Sequence, residues 1–312
     1  MKKIGLNPEN IKILVCCHKK TDLPVDTTGI LFPIHVGASI SKLNLEMQRD
    51  DQLNGKSCDN ISQKNGSYCE LTAMYWAWKN MKKLYPNLEY IGLNHYRRYF
   101  DFNRTAWVNP VLKKQESEVV NYRLPLKKML KLLEQDKTIV ASRKTYEYPL
   151  AYDYGLSHSY DDLKIMAKIA YEKNPECADV LKYHLLRNNK LSHFNMFIMK
   201  WRDFDKYCTW LFGTLEDVEK YINIENYSSV QKRIFGYMAE RLLNVFCQTN
   251  NLKTKYTPIV QFVNQKNLSC LYYLYRFVRS NISNLVIRTP VLDTAWQSML
   301  RDAEKLIDEK IG

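Results

Sequence analysis

Two adjacent arginines follow an apolar run that is typical of a buried strand. Residues 90–100 read YIGLNHYRRYF, so the run leads directly into Asn94, His95, Arg97 and Arg98. Ligands of open α/β sheets bind outside the carboxyl ends of the strands. Neighbouring guanidinium groups repel each other unless an anion or a carboxylate lies between them, and their planar donors suit phosphate oxygens. The segment therefore predicts an anion site, with structural salt bridges as the alternative.

A polar loop offers a second group of candidate binding residues. Asn60, Lys64 and Asn65 lie just before a helical pattern that is rich in tyrosine and tryptophan. Such side chains ahead of a helix are suited to recognise anions and hydroxyl groups. The alternative is ordinary capping, in which Ser67 is the N-cap and Glu70 completes a capping box.

A third group precedes and enters an apolar segment over residues 194–199. If this segment is a strand, His193 and Asn195 lie on one side of it among apolar neighbours. A buried amide needs hydrogen-bond partners, and a sugar hydroxyl is a suitable one. The alternative is a structural asparagine that holds a loop.

Glu240 is the candidate general base. It falls on a second stripe of an amphipathic helical pattern, together with Gly236, Leu243 and Cys247. A carboxylate among small and apolar residues either pairs with a cation or has a raised pKa, and a raised pKa suits a base. An ion pair with Arg233 or another arginine is the alternative.

Composition narrows the possible partners. The 312-residue chain carries 46 Lys and Arg against 33 Asp and Glu, a formal net charge of +13. This charge implies an anionic partner, which could be nucleic acid, a phosphorylated metabolite or an acidic lipid surface. The basic residues are dispersed and no nucleic-acid-binding motif is present, so we expect no nucleic-acid partner.

Spacing patterns exclude several common kinds of site. No G-x-G-x-x-G or P-loop pattern occurs, so side chains must bind any phosphate. No Cys-x-x-Cys pair occurs, so we expect reduced cysteines and no zinc site. No apolar run reaches the roughly 18 to 20 residues that span a membrane, and the first residues lack the apolar stretch of a signal peptide, which predicts a cytoplasmic protein.

Alternating strand and helix patterns predict a mostly parallel α/β sheet. The predicted strands cover 11–17, 90–93 and 138–141, and the predicted helices between them cover 68–84 and 124–134. The long segment 21–67 has little period, and a loop of this length is usually functional. We expect its part from residue 35 to residue 65 to face a nucleotide.

The C-terminal segment, residues 266–312, differs in character from the rest. Residues 271–279 interleave aromatic side chains with arginines, and residues 295–310 have the pattern of a charged amphipathic helix. An aromatic and basic segment can lie on an anionic membrane, with its rings at the level of the headgroups. The alternative is a C-terminal helix packed on the core.

Five sequence blocks together resemble a bacterial family of uncharacterised-domain proteins from capsular and exopolysaccharide gene clusters. They are 59–62 (DNIS), 68–73 (YCELTA), 92–100 (GLNHYRRYF), 195–199 (NMFIM) and 239–242 (AERL), within a match from about residue 11 to residue 262. The family is classed with glycosyltransferases. Some members are assigned as galactofuranosyltransferases that use a UDP-sugar.

The resemblance implies a Rossmann-like α/β core of the single-domain, GT-A-like type over residues 1–265, with helical C-terminal additions over 266–312. Many transferases of this type hold a divalent metal with an Asp-x-Asp at a strand end, which balances the leaving diphosphate. Here the strand end carries Arg97 and Arg98 instead. We therefore expect no metal and no cofactor, with Mg²⁺ or Mn²⁺ as the alternative.

The expected function is an inverting transfer of a sugar from a UDP-sugar to a lipid-linked oligosaccharide, at the inner face of the cytoplasmic membrane. Glu240 is the expected base. The expected donor-binding residues are His35, Gly37, Asn60, Lys64, Asn65, Tyr68, Glu70, Asn94, His95, Arg97 and Arg98. The expected acceptor-binding residues are Asp153, His158, His193 and Asn195. The rival function is a non-catalytic carbohydrate- or nucleotide-binding subunit of a polysaccharide assembly complex.

Overall fold

The chain folds into two compact units in a computed structural model that describes residues 6–105, 109–265, 269–286 and 292–311. The first unit comprises Met1–Ser142, His193–Asp205 and Leu252–Ser269, and the second comprises Arg143–Ser192, Lys206–Asn251 and Cys270–Gly312. These units do not follow the predicted boundary after residue 265, because the C-terminal helices pack with internal segments of the second unit.

Short strands and longer helices make up both units. The strands are β1 (Ile11–Cys17), β2 (Leu31–His35), β3 (Gln48–Arg49), β4 (Gln52–Leu53), β5 (Lys56–Ser57), β6 (Tyr90–His95), β7 (Arg98–Phe100), β8 (Val111–Lys114), β9 (Thr138–Ala141), β10 (Lys144–Thr145), β11 (Lys190–Leu191), β12 (Phe197–Lys200), β13 (Thr254–Thr257) and β14 (Ile259–Phe262). The helices are α1 (Asn65–Tyr68), α2 (Leu71–Leu84), α3 (Leu126–Glu134), α4 (Leu150–Gly155), α5 (Tyr160–Lys173), α6 (Ala178–Leu186), α7 (Trp201–Glu219), α8 (Ile234–Thr249), α9 (Cys270–Val286) and α10 (Leu292–Ile311).

The first unit is built on a mixed sheet with the strand order β13-β9-β12-β6-β1-β2-β3. β1 pairs in parallel with β2 and with β6, and β9 pairs in parallel with β13. Only β12 on this path runs antiparallel to its neighbours, β6 and β9. The mostly parallel α/β sheet predicted from the sequence is therefore confirmed.

Close packing fixes the central strands. Ile13 and Leu14 of β1 are fully buried, as expected for a strand that is covered on both faces. Gly92 is needed where β6 passes β12, because a Cβ there would lie 2.8 Å from Ile198 Cγ1 and from the Phe197 carbonyl oxygen. Since these strands cannot shift, the side chains at their ends have fixed positions.

The start of α2 differs from the predicted one. α2 begins at Leu71 rather than at residue 68, because Cys69, with φ of 53°, ends the short helix α1. The predicted capping box is wrong. Ser67 lies within α1 and donates to the carbonyl oxygen of Lys64, whereas Glu70 occupies the N-cap position of α2 without a side-chain capping bond.

The start of β12 also differs. The strand begins at Phe197 rather than at residue 194, because Phe194 and Asn195 have φ of 70° and 51°. Left-handed backbone does not continue a strand. His193 and Asn195 therefore lie in a turn before β12 and do not share a strand face, contrary to the prediction.

Helices dominate the second unit. α10 packs against α5 and α6, where it buries Trp296, Met299 and Ala303. This is the packing that the alternative prediction for residues 295–310 described. Within the described ranges, no helix is both long and apolar enough to cross a membrane.

Candidate functional site

Polar side chains gather at one edge of the sheet in the first unit. Because β1, β2 and β6 are parallel, their carboxyl ends meet there, and the register pairs Cys17 with His35 and Cys16 with His95. β12 runs the other way, so the turn before it, with Asn195, lies at the same edge. Open α/β sheets bind their ligands at this edge.

Asn94, near the carboxyl end of β6, is fully buried. Neither its Oδ1 nor its Nδ2 has a hydrogen-bond partner among the residues that the structure describes. Most buried polar side-chain atoms have a partner, and each one left without costs about 1–3 kcal/mol. The Asn94 amide therefore has unused capacity both to donate and to accept a hydrogen bond.

His35 ends β2 and is only 1% exposed. Its Nε2 is buried and also has no partner in the described part of the chain. Burial lowers the pKa of His35, more than the nearby Asp50 carboxylate raises it, so the ring is neutral at pH 7. A neutral imidazole offers one donor and one acceptor nitrogen, which suits hydroxyl groups or a nucleobase.

Asp50 holds the loop that follows β2. Its buried carboxylate accepts hydrogen bonds from the N–H groups of Gly37 and Ala38, at 2.8 and 3.0 Å, and from the hydroxyl of Ser62. Gly37 has φ of +66°, and a Cβ there would lie 2.8 Å from the side chain of Asn65. Asp50 was not predicted, because an acidic residue in a long polar loop carries no spacing signal.

Four other residues predicted to bind the donor lie in or next to this loop. The Asn60 side chain donates to the carbonyl oxygen of Cys58 and accepts from the N–H of Ser62. The Asn65 amide donates to the carbonyl oxygen of Cys69 at 2.7 Å. The Lys64 ammonium lies 5.5 Å from the ring centroid of the buried Tyr68. The two asparagines therefore shape the backbone, and direct contact of all four with a donor stays a prediction.

The two arginines lie at the turn between β6 and β7, where His95 pairs with Arg98. The Arg97 guanidinium forms no ion pair with any described residue, and its buried Nε has no hydrogen-bond partner there. The Arg98 guanidinium lies 4.2 Å from the ring centroid of Phe194. For Arg97, a structural salt bridge is thus not what holds the cation at the sheet edge.

The turn before β12 is joined to β6 and to α2. His95 Nε2 lies 2.8 Å from the carbonyl oxygen of Phe194. Because a carbonyl oxygen only accepts, this nitrogen carries the hydrogen and donates the hydrogen bond. Asn195 Nδ2 donates to Glu70 Oε1 at 2.7 Å, and both side chains are buried. Next to Phe194, the His193 ring lies 5.5 Å away, centroid to centroid. A bulky residue with positive φ, such as Phe194, costs about 1–3 kcal/mol, and such strain is typical of functional sites.

Glu240 lies in the second unit, on α8, and is 9% exposed. Its main-chain oxygen accepts a hydrogen bond from the Asn244 amide at 2.8 Å. Burial raises the pKa of Tyr146, and the carboxylates of Glu240 and Asp153 add to that rise. Glu240 also acts on His158. Glu240 thus acts electrostatically on His158 and, together with Asp153, on Tyr146, and the roles of these predicted residues stay a prediction.

His158 is a neutral base in this neighbourhood. Burial, and then the Arg241 cation, lower its pKa to about 4, while Glu240 opposes them. The ring packs against Tyr154 and Tyr237 with centroid distances of 4.8 and 4.5 Å, and Nδ1 has no hydrogen-bond partner among the described residues. At pH 7 the imidazole can accept a hydrogen bond from a hydroxyl group.

The described residues contain no group of three or more His, Cys, Asp or Glu that could hold a metal ion. The turn after β6 offers guanidinium and imidazole groups, whereas Mg²⁺ takes oxygen ligands. These side chains do not fit Mg²⁺. Donor binding without metal stays a prediction.

A solved structure shares this fold. It is described as the apo form of the bifunctional glycosyltransferase WbbM, and it superposes with a TM-score of 0.70 at 27% sequence identity. The alignment covers 83% of this chain and 46% of the WbbM chain, so the protein spans just under half of WbbM. The likeness confirms the predicted GT-A-like α/β fold.

Sequence comparison assigns the family. A search of curated proteins found none that matches. Residues 12–251, most of the chain, match the model of one protein family. The chain therefore belongs to the family described as a domain of unknown function, DUF4422.

Proposed function

We propose that this protein is a glycosyltransferase that moves a sugar from a UDP-sugar to a lipid-linked oligosaccharide. The observation that carries the proposal is the buried Asn94 amide at the carboxyl edge of the sheet, whose two polar atoms have no partner among the described residues. The likeness to WbbM supports the transfer chemistry. The proposed pathway class is capsular polysaccharide, exopolysaccharide or O-antigen synthesis, at the inner face of the cytoplasmic membrane.

The donor is proposed to bind at the carboxyl edge of β2 and β6. Asn94 and His35 offer buried polar atoms to the sugar or the nucleoside, and Arg97 offers a guanidinium without a carboxylate partner in the described ranges. Hydrogen bonds from guanidinium to phosphate are about twice as strong as neutral ones. Arg97 and Arg98 are therefore proposed to bind the diphosphate, in the role that a metal has in other transferases.

The proposed reaction is an inverting displacement. The oxygen of the acceptor hydroxyl bonds to the anomeric carbon while the bond from that carbon to the diphosphate oxygen breaks. UDP leaves with the bonding electron pair, and cationic side chains stabilise its charge. The hydroxyl proton passes to a base, for which we propose Glu240, because it is a buried carboxylate that acts electrostatically on His158. Galactofuranose is the proposed sugar, because some members of the family that the sequence resembles are assigned as galactofuranosyltransferases.

Release of UDP tests the proposal. The purified protein is incubated with UDP-galactofuranose, UDP-galactose or UDP-glucose and a lipid-linked acceptor, in EDTA, and free UDP is measured. We expect release from one donor, and we expect Arg97→Ala to abolish it. The matched control is Arg202→Ala, which removes a surface arginine with an 83% exposed side chain from the same unit. A protein that binds UDP but never releases it from a donor would be a binding subunit instead.

A further inference from the structure

One side of α9 is apolar and exposed along the whole helix. Seven large apolar side chains on this helix are between 41% and 77% exposed. They are Leu271, Tyr272, Leu274, Tyr275, Val278, Ile282 and Leu285. Apart from Tyr272, they follow one another at spacings of one to four residues that place them on one side of a helix. We call this side the α9 face.

Residues opposite and beside the α9 face hold the helix on the second unit. Ser280 is 3% exposed, and its carbonyl oxygen accepts a hydrogen bond from the Asn189 amide at 3.1 Å. The Arg279 guanidinium donates to Glu147 at 2.6 Å. The helix is therefore anchored, and the α9 face is a surface that the unit leaves uncovered.

Charge on this helix has one sign. Residues 269–286 contain Arg276 and Arg279 and no acidic residue. Tyr272, Arg276 and Arg279 are four and three residues apart, so they form one flank of the α9 face. An aromatic and cationic flank beside an apolar stripe is the pattern of a helix that lies in a lipid interface, where the exposed Arg276 can reach the headgroups.

We propose that the α9 face docks on the surface of an anionic lipid bilayer. Contiguous apolar patches on the surface of a soluble protein often mark binding sites for proteins or membranes. The net charge of +13 favours a negatively charged surface. A second copy of the chain fits less well, because a symmetric pairing of this helix would bring arginines together without carboxylates from the helix to balance them.

This proposal extends the proposed function, since a lipid-linked acceptor is anchored in a membrane, but binding to lipid requires no donor. Flotation is measured with vesicles of phosphatidylcholine alone and of phosphatidylcholine and phosphatidylglycerol in equal parts, at low salt. We expect binding to the anionic vesicles only. Arg276→Gln should weaken it about fivefold, the effect of removing one charge near such a surface.

The apolar side chains are tested by Leu274→Gln with Val278→Gln. These exposed positions tolerate a polar residue, so the melting temperature should not change, while vesicle binding should fall about tenfold or more. The matched control is Val230→Gln, at an exposed valine of the same unit (58% exposed, against 48% for Val278), which should bind as the unmodified protein does.

Three results would overturn the proposal. They are absence of flotation, equal flotation of the α9 variant and the Val230 control, and sedimentation that shows a dimer which the α9 substitutions dissociate. UDP affinity measured without vesicles separates this proposal from the previous one. Vesicle binding without UDP binding would contradict the proposed transferase activity and support the membrane-docking face. UDP binding without vesicle binding would support the transferase and contradict the docking face.

Discussion

Asn195 donates a hydrogen bond from its Nδ2 to the Oε1 of Glu70 at 2.7 Å, across 125 positions of the chain. Glu70 is the N-cap residue of α2, and Asn195 ends the turn before β12. Each follows a residue with positive φ, Cys69 and Phe194 respectively. The bond therefore ties together two strained backbone segments at the candidate site.

Loss of this bond should destabilise the first unit. Asn195→Ala removes a donor from a buried carboxylate, so the free energy of unfolding should fall by about 1.5–3 kcal/mol, as for hydrogen bonds to charged groups. Urea denaturation measures the change. Unchanged stability would contradict a structural role for the pair.

A second variant, Asn195→Asp, tests the same contact through the dependence of stability on pH. Asn195→Asp places a second carboxyl group beside Glu70, and repulsion between the two charges raises the pKa of the pair in the folded state. The folded protein then binds more protons than the unfolded chain, so stability should rise as the pH falls from 8 towards 5. The Ala variant should lack this rise.

The sequence allowed only part of this site to be predicted. The position of Asn94, His95 and Arg97 at the sheet edge could be predicted because they directly follow an apolar run, and strand ends are where such sheets bind ligands. The bond between Asn195 and Glu70 could not, because no local periodicity relates residues so far apart. The positive φ of Phe194 could not be predicted either, because bulky residues disfavour that conformation and only tertiary contacts impose it.

The C-terminal segment, residues 266–312, could also be predicted only in part. Residues 295–310 have the pattern of an amphipathic helix, but an apolar stripe in the sequence has the same spacing whether it packs on a core or stays exposed. In the structure, Val278 is 48% exposed, whereas Trp296 of the following helix is buried. Which stripe is covered depends on the neighbouring helices.

The Asn94 amide should lower the stability of the folded protein and strengthen the binding of UDP. Asn94→Leu replaces an amide that has no hydrogen-bond partner in the described residues with an apolar group of similar size. Removal of unpartnered buried polar atoms should leave the free energy of unfolding unchanged or raise it by about 1–3 kcal/mol, while UDP affinity is lost. Thermal melting and calorimetry on the same sample measure both. A marked loss of stability would show that Asn94 has a structural role instead.

Acid should destabilise the protein through a buried histidine. Burial, and then Arg241 and Arg143, lower the pKa of His184 to about 3, from about 6.5 in an unfolded chain. Between these values the unfolded state binds a proton that the folded state does not, so stability should fall as the pH falls from 6.5 towards 3.

The matched pair for this prediction is His184→Gln and His18→Gln. The first removes the buried ring, so the loss of stability between pH 6.5 and 5 should become smaller by up to about 1.4 kcal/mol per pH unit. The second removes an exposed ring of the first unit and should leave that slope as it is. Equal slopes in both variants would assign the acid sensitivity to other groups.

Glu240→Gln tests the proposed base. The substitution keeps the shape of the side chain and removes its basicity, so kcat should fall by about 10² to 10⁴ while UDP affinity stays nearly unchanged. Turnover and calorimetry with UDP measure the two effects. Turnover close to that of the unmodified protein would remove Glu240 from the mechanism and direct attention to Asp153, His158 and His193.

Calorimetric titration with UDP and with UMP, in EDTA, tests the central claim most directly. If Arg97 binds the diphosphate, UDP should bind at least about tenfold more tightly than UMP, because a hydrogen bond to a charged group contributes about 1.5–3 kcal/mol. Arg97→Ala should remove this difference, and Arg202→Ala should keep it. Equal affinity for the two nucleotides, or UDP binding that appears only when Mn²⁺ is added, would contradict the account.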